Sequence, residues 1–356
     1  MENAVYQFRL NGEPVKCIPF GHGHINSTFK IDTDAGCEYI LQRINTYVFK
    51  DPVGLMNNAG AITDYIRERV SDPRLALHFL TTKDGKFYYE DEKGEFWRMY
   101  DFVGGFCLDT PETEDDFYQS AIAFGRFQQQ LSEFPAETLT ETIPEFHNTI
   151  DRYRQFKEAV AADRMGRLEG VRAEVEFYLA REEMGSQLQK MREAKTLPLR
   201  VTHNDTKLNN VLLDKETRTA LCVLDLDTVM PGLSAYDFGD SIRFGAATAA
   251  EDEKDLSKME MDLHLFEVYT RGFLTAATNL TEEEVKALPM GAYTMTLECG
   301  SRFLKDYLDG DVYFKVAYPE HNLDRARTQM KLVADMEKKM DQMNAIVAKV
   351  AAELKK

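Results

Sequence analysis

The sequence predicts an α+β chain of two lobes, a small antiparallel β-rich lobe over residues 1–103 and a larger, mainly helical lobe over residues 104–356. Short β-rich runs set off by Gly and Asp-Gly turns dominate the N-terminal part. Past Val103-Gly104-Gly105, apolar residues recur at steps of three and four, the helical period. The 356 residues, 44% hydrophobic and 11% aromatic, suit two domains or one large bilobal unit with a sizeable core, and not a disordered chain.

In the first lobe, residues 15–20, 27–32 and 38–45 read as strands, separated by Gly21, Gly23 and the Asp34-Ala35-Gly36 turn. Asp51 followed by Pro52 supplies a helix N-cap and first position, and Leu55, Ile62, Tyr65, Ile66 and Val70 keep one helical face. Residues 77–103 return to strands, with Asp84-Gly85 and Lys93-Gly94 turning an antiparallel meander. In the second lobe, Phe124, Phe127, Leu131 and Phe134 begin a helical pattern that continues through residues 151–195. Residues 201–232 interrupt it with two β-like runs, 211–213 and 220–224, among polar clusters. The chain ends in a stripe of Met330, Val333, Met336, Met340, Met343, Val347, Val350 and Leu354. Packing onto the helical lobe is expected of it rather than a coiled-coil seam, because flanking charge pairs are missing.

Acidic residues outnumber basic ones by 60 to 43, a net charge of −17, which argues against nucleic acid or an anionic membrane as partner. No run approaches the roughly 18 apolar residues of a membrane-spanning helix, and no basic start with an apolar run suggests a signal peptide. The five cysteines are widely spaced without a Cys-x-x-Cys pair, so neither a disulfide framework nor a zinc site is expected. A cytoplasmic setting without an obligate protein partner fits best. Walker A, Gly-x-Ser-x-Gly, His-Glu-x-x-His and dinucleotide-binding patterns are all missing.

The chemistry concentrates in His203-Asn204-Asp205-Thr206-Lys207-Leu208-Asn209-Asn210, with Asp225 closing the apolar run that follows. Phosphoryl transfer from a nucleotide needs a carboxylate to orient the attacking hydroxyl, hard oxygen ligands for Mg²⁺, and a pinned nucleotide. Asp205 suits the first role; Asn210 and Asp225 suit the second. His203 reads as a structural residue of the loop. Asp227 is open between a second metal ligand, a substrate contact and a turn cap. Asp237 and Asp240 lie too far past Asn210 to hold the metal, and Asp237 is expected to accept from the backbone of the Asp205 loop.

This order resembles the catalytic and metal-binding loops of the protein-kinase-like fold, in its branch of aminoglycoside phosphotransferases and choline and homoserine kinases. The blocks GHGHINSTF, YILQRIN, THNDTKLNNVL, DLDTVMPG, DFGDSIRFGA, ECGSRFLKDYLDGDVYF and YPEHNL resemble, in order and along nearly the whole chain, the bacterial N-acetylhexosamine 1-kinases. The resemblance implies an ATP- and Mg²⁺-dependent kinase of a small-molecule sugar, with Asp205 as catalytic base and Asn210 and Asp225 as metal ligands. It implies that residues 21–28, with Gly21, Gly23, Asn26 and Thr28, cover the nucleotide. Asp101 and Val103 would belong to the hinge that meets the adenine edge. His24, Arg302 and Tyr313, with Asp205, would lie near the sugar.

Two features depart from the kinase pattern. The turn GHGH is shorter than the full glycine-rich loop. Where kinases of this fold place a phosphate-holding Lys or Arg in the third strand, this chain has Gln42, with Arg43 beside it; strand alternation forbids both from facing the phosphates. Lys207 is positioned to supply the cation that Gln42 lacks. The function expected is phosphorylation of N-acetylglucosamine and N-acetylgalactosamine at the anomeric O1. The alternative on the same fold is a kinase of another small alcohol, such as an aminoglycoside, choline or homoserine. A degenerate, non-catalytic module is disfavoured because Asp205, Asn210 and Asp225 are all present.

Overall fold

The computed structural model describes residues 2–21 and 26–355, so Gly23 and His24 lie outside the described residues. The chain forms two compact units, each assembled from separate segments. The first comprises Met1–Cys107, Gln130–Pro144 and Asn210–Pro231; the second comprises Leu108–Gln129, Glu145–Asn209 and Gly232–Lys356. A single cut after residue 103 therefore does not describe the division, because two later segments return to the first unit.

The first unit is built on a five-stranded antiparallel sheet. Its strands are β1 (Pro14–Pro19), β2 (Ser27–Thr33), β3 (Glu38–Ile44), β4 (Tyr89–Glu90) and β5 (Phe96–Asp101), in the order β1-β2-β3-β5-β4. Register assigns the faces. Phe29, Leu41 and Met99 pair across β2, β3 and β5 and point into a core with Phe8, Ile31, Tyr39, Leu80 and Trp97. One residue along, Thr28, Gln42 and Arg98 form the neighbouring row on the opposite face. The run 77–82 is not a full strand. It contributes an isolated bridge, Phe79 to Tyr100, because the outer edge of β5 is shared with β4, which pairs with Phe96 and Trp97. The helix Pro52–Arg67 starts as its sequence suggests, with the Asp51 carboxylate accepting from Gly54 N–H at 2.8 Å and Pro52 in its first turn. A hairpin of Val211–Leu213 and Ala220–Val223 completes the unit.

The second unit is helical. The stretch 151–195 is helical as its pattern suggests, in four helices, Thr149–Ala162, Arg172–Leu179, Glu182–Gly185 and Gln187–Glu193; Asp163, with φ of 34°, ends the first of them. The long helices Glu282–Asp309 and His321–Leu354 pack along each other, and the second also packs on Leu263–Ala276. Val333, Met336, Met343, Val347 and Val350 of the C-terminal stripe are buried there, while Met330 and Met340 are partly buried and Leu354 is exposed. Helix Ser234–Gly245 lies directly on Glu282–Asp309: a side-chain carbon at Gly239 would collide with the Gly291 carbonyl, and one at Gly291 with the Ala235 carbonyl. Among the described residues no helix is long and apolar enough to cross a membrane.

Glu284 joins three parts of this unit. It closes the capping box of helix Glu282–Asp309 with Thr281, accepts from Ser234 Oγ at 3.0 Å, and pairs with Arg200 at 2.8 Å. Burial pushes its carboxyl up, but the Arg200 guanidinium and the Thr281 backbone outweigh this and hold it below its ordinary value. Its stabilisation is therefore present above about pH 4.3, the unfolded value, and is lost as pH falls through the lower folded value. Glu284→Gln should lower stability by about 3 kcal/mol at pH 7. Urea midpoints taken against pH should show the gap to wild type narrowing below about pH 4.

Candidate functional site

In the second unit the loop carrying Asp205 is gripped by one face of helix Ser234–Gly245. Asp237 accepts from the backbone N–H of His203 (2.9 Å) and Asn204 (2.8 Å), and from Gln128 Nε2 (2.7 Å). Three residues on, Asp240 accepts from Thr206 N–H at 3.0 Å, and Ser241 Oγ donates to the Thr206 carbonyl at 2.8 Å. Asn204 is bent into the left-handed region, with φ of 64°, a conformation Asn tolerates better than most residues. His203 is fully buried, edge-on to Phe124 and Phe127 at centroid distances of 5.4 and 6.0 Å, a packing role.

Asp205 is half-buried and its carboxylate lies 2.9 Å from Lys207 Nζ. Burial lowers the Lys207 ammonium, but Asp205 and Asp240 outweigh it and raise the group, so it stays charged. Burial likewise raises the Asp240 carboxyl, and Arg243 and Lys207 reverse it to a net lowering. Asp237 is the exception: burial holds it above the ordinary range despite its backbone donors.

The same unit places Arg302 among rings, 5.3 Å from the Phe146 centroid, 5.8 Å from Tyr313 and 5.6 Å from Phe314. Its Nη1 is 3.8 Å from Glu298, which is buried and paired with His147 at 2.9 Å. Burial raises Glu298, and His147, Arg152 and Arg302 bring it to a net lowering. Tyr313 is exposed; its backbone N–H, with those of Val312 and Phe314, donates to the Asp306 carboxylate at 2.9–3.0 Å. Nothing in the sequence pattern singled out Asp306, Glu298 or His147; the His147–Glu298 pair joins residues 151 positions apart, which spacing does not reveal.

In the first unit, Asn210 ends a short turn and its carbonyl accepts from Leu224 N–H at 2.7 Å, so Asp225 emerges beside it from the hairpin. Asp225 is exposed and left-handed, with φ of 55° and ψ of 62°. Asp227, two residues on, is buried and ion-paired with Arg98, and its Oδ2 accepts from Asn26 Nδ2 at 2.7 Å. Arg98 Nε donates to Gln42 Oε1 at 2.8 Å, and Gln42 Nε2 to Thr28 Oγ1 at 3.0 Å. Arg43 points the other way, to Glu95 at 2.7 Å and Ser27 Oγ at 3.2 Å. The face carrying Gln42 thus has a cation after all, Arg98, which sequence reading missed because its strand partner is remote. Gly21 has φ of 76°, Asp101 pairs with His78 at 2.8 Å, and Val103 is half-buried past the end of β5.

The phosphotransferase enzyme family (APH) matches residues 16–260, more than half of the chain, and the chain belongs to it. Solved structures of the same fold include an aminoglycoside phosphotransferase from Alicyclobacillus acidocaldarius, 13% identical, with a TM-score of 0.58 over 100% of this chain and 96% of that one. A microcompartment-associated aminopropanol kinase is 15% identical, with a TM-score of 0.61 over 96% of this chain and 97% of that one. Amicoumacin kinase hAmiN, solved in complex with AMP-PNP, Ca²⁺ and Ami, is 12% identical, with a TM-score of 0.61 over 92% of this chain and 91% of that one. These likenesses show a bilobal protein-kinase-like fold.

The grip on the Asp205 loop is open to test. Asp237→Asn keeps one carbonyl oxygen for two backbone donors, and a buried donor left unsatisfied costs about 1–3 kcal/mol. Chemical denaturation should show a loss of that size. In steady-state kinetics kcat should fall while the acceptor KM changes little.

Proposed function

We propose that this chain is an ATP- and Mg²⁺-dependent sugar 1-kinase that phosphorylates N-acetylhexosamines at the anomeric O1. The observation that carries the reading is the rigid presentation of Asp205 by a loop whose backbone is fixed at His203, Asn204 and Thr206. A positioned carboxylate can orient the O1 hydroxyl and take up its proton. A hemiacetal hydroxyl is more acidic than an ordinary alcohol, which suits a weak base. Most of the acceleration would come from positioning and electrostatics.

Asn210 and Asp225 fit a Mg²⁺ ion by the chemistry of their donors. Both offer hard oxygens, and Asp225 stands exposed at the end of the hairpin. Among the described residues no three His, Cys, Asp or Glu side chains gather into a metal cage, and a Mg²⁺ carried on phosphates does not require one. When bound, the ion would neutralise charge on the phosphates. Lys207, held by Asp205, adds a positive charge next to the base.

The acceptor reading rests on Arg302 and Tyr313. An arginine set among Phe146, Tyr313 and Phe314 offers hydrogen-bond donors beside apolar ring faces, the mix that suits a sugar carrying an acetamido group. Arg152 stands close enough to Arg302 to be pulled below its ordinary value, by burial first and by that neighbour second. Two arginines disfavour polycationic or quaternary ammonium acceptors, which weighs against the aminoglycoside and choline alternatives. His24 remains a candidate sugar contact, and Gly21, Gly23, Asn26, Thr28, Asp101 and Val103 candidate nucleotide contacts.

Asp205→Asn should reduce kcat by ~10²–10⁴ while ATP binding survives. A coupled ADP-release assay should respond to N-acetylglucosamine and stay at background with its methyl glycoside, which keeps the other hydroxyls but lacks O1. Turnover of the glycoside at a rate comparable to the free sugar would remove the 1-kinase reading and leave the phosphotransferase one intact.

A further inference from the structure

Arg98 is a buried cation on the sheet face where kinases of this fold carry a third-strand lysine, yet its guanidinium is spent on protein partners. Nη1 pairs with Asp227 and Nε donates to Gln42 at 2.8 Å. We propose that Arg98 is a positioning residue: with Asp227 it clamps the turn Leu226–Thr228 and so holds Asp225 in the left-handed conformation that receives the metal. The inference rests on reading Asp225 as a metal ligand.

The turn is anchored at both ends within the first unit. Leu224 N–H bonds the Asn210 carbonyl at 2.7 Å, and Asn58 Nδ2, inside helix Pro52–Arg67, bonds the Val229 carbonyl at 3.1 Å. Between these anchors stands a non-glycine residue with positive φ, a conformation that surrounding contacts must enforce. The Asp227 side chain supplies that contact. One of its oxygens is held by Arg98 and the other by Asn26, whose own Oδ1 accepts from Asn45 N–H at 2.9 Å. A carboxylate buried to 3% exposure and engaged on both oxygens is an anchor, not a second metal ligand.

The same network accounts for glutamine in place of lysine. Position 42 sits directly across β3–β5 from Arg98, so a lysine there would set two cations side by side. Glutamine offers an acceptor to Arg98 Nε and a donor to Thr28 Oγ1, which carries the row back to the strand that follows residues 21–26. The planar guanidinium makes both contacts at fixed angles, which an ammonium does not.

The test uses the full chain, with Mn²⁺ as the metal probe read by electron paramagnetic resonance in the presence of AMP-PNP. The double variant R98M/D227N removes both charges together and keeps an acceptor for Asn26. It should bind AMP-PNP in EDTA within about twofold of wild type while its Mn²⁺ affinity falls roughly tenfold, the range for residues that orient metal ligands. R98K, which restores the charge but not the fork, should fall between the two. Unchanged Mn²⁺ affinity in R98M/D227N overturns the proposal, and a roughly tenfold loss of AMP-PNP affinity in EDTA overturns it in favour of direct phosphate binding. If the double variant does not fold, R98K decides, and wild-type Mn²⁺ affinity there overturns the proposal. D225A separates the two layers of the reading. Wild-type Mn²⁺ affinity in D225A removes the metal role of Asp225 itself. Its loss in D225A beside retention in R98M/D227N removes the positioning role alone.

Discussion

The loop that carries Asp205 is held chiefly through its backbone, and the rest of the second unit is arranged around that hold. Helix Ser234–Gly245 supplies that hold. Asp237, Asp240 and Ser241 stand at helical positions i, i+3 and i+4, so they share one face and meet consecutive groups of the loop, the N–H of His203, Asn204 and Thr206 and the carbonyl of Thr206. Asp237 lies in the first turn, where the helix dipole favours a negative group. The helix can occupy this place because Gly239 and Gly291 let it rest backbone against backbone on Glu282–Asp309. The geometry of the Asp205 loop therefore depends on two glycines and two carboxylates of neighbouring helices.

Charge is managed locally, against the sign of the whole molecule. The net charge of −17 would repel a nucleotide at long range, yet Arg98, Arg152, Arg243 and Arg302 are all drawn into the interior or its margin. Each lies against aromatic rings or carboxylates, and three have buried acidic partners: Arg243 with Asp240, Arg98 with Asp227, and Arg302 with Glu298. A buried pair broken on one side is strongly destabilising, whereas the intact pair contributes little net stability. These pairs thus fix geometry more than they add stability.

The sequence made the elements with strong local signals legible. Asp51-Pro52 marked a real helix start, the turns at Gly36 and Gly94 adopt positive φ, and the hairpin around residues 211–223 follows its β-rich runs. Asp237 was legible too, because a carboxylate following such a loop has few uses other than capping it. Residues 77–82 have strand composition, but a strand needs a free partner edge, and β4 had taken part of it. Residues 151–195 are helical as read, and what periodicity does not report is where the helices end, the first at a left-handed Asp163. Arg98 and Glu298 acquire their roles from Asp227 and His147, partners far along the chain that no local window contains.

Gln42 shows how an anomaly becomes informative once register is known. As a single position it reads as a lost lysine and weakens the kinase interpretation. Across the sheet it is directly opposite Arg98, and strand alternation puts Thr28, Gln42 and Arg98 in one row. Compensation for a missing charge is most economical at a cross-strand neighbour, since side chains there approach closely without any change of backbone. A cation on β5 rather than β3 shares the sheet face but has a different reach. It does not extend along the third strand; it meets Asp227 and acts on the neighbouring turn. In this chain the third-strand position has become a relay, and its charge works through the loop that carries Asp225.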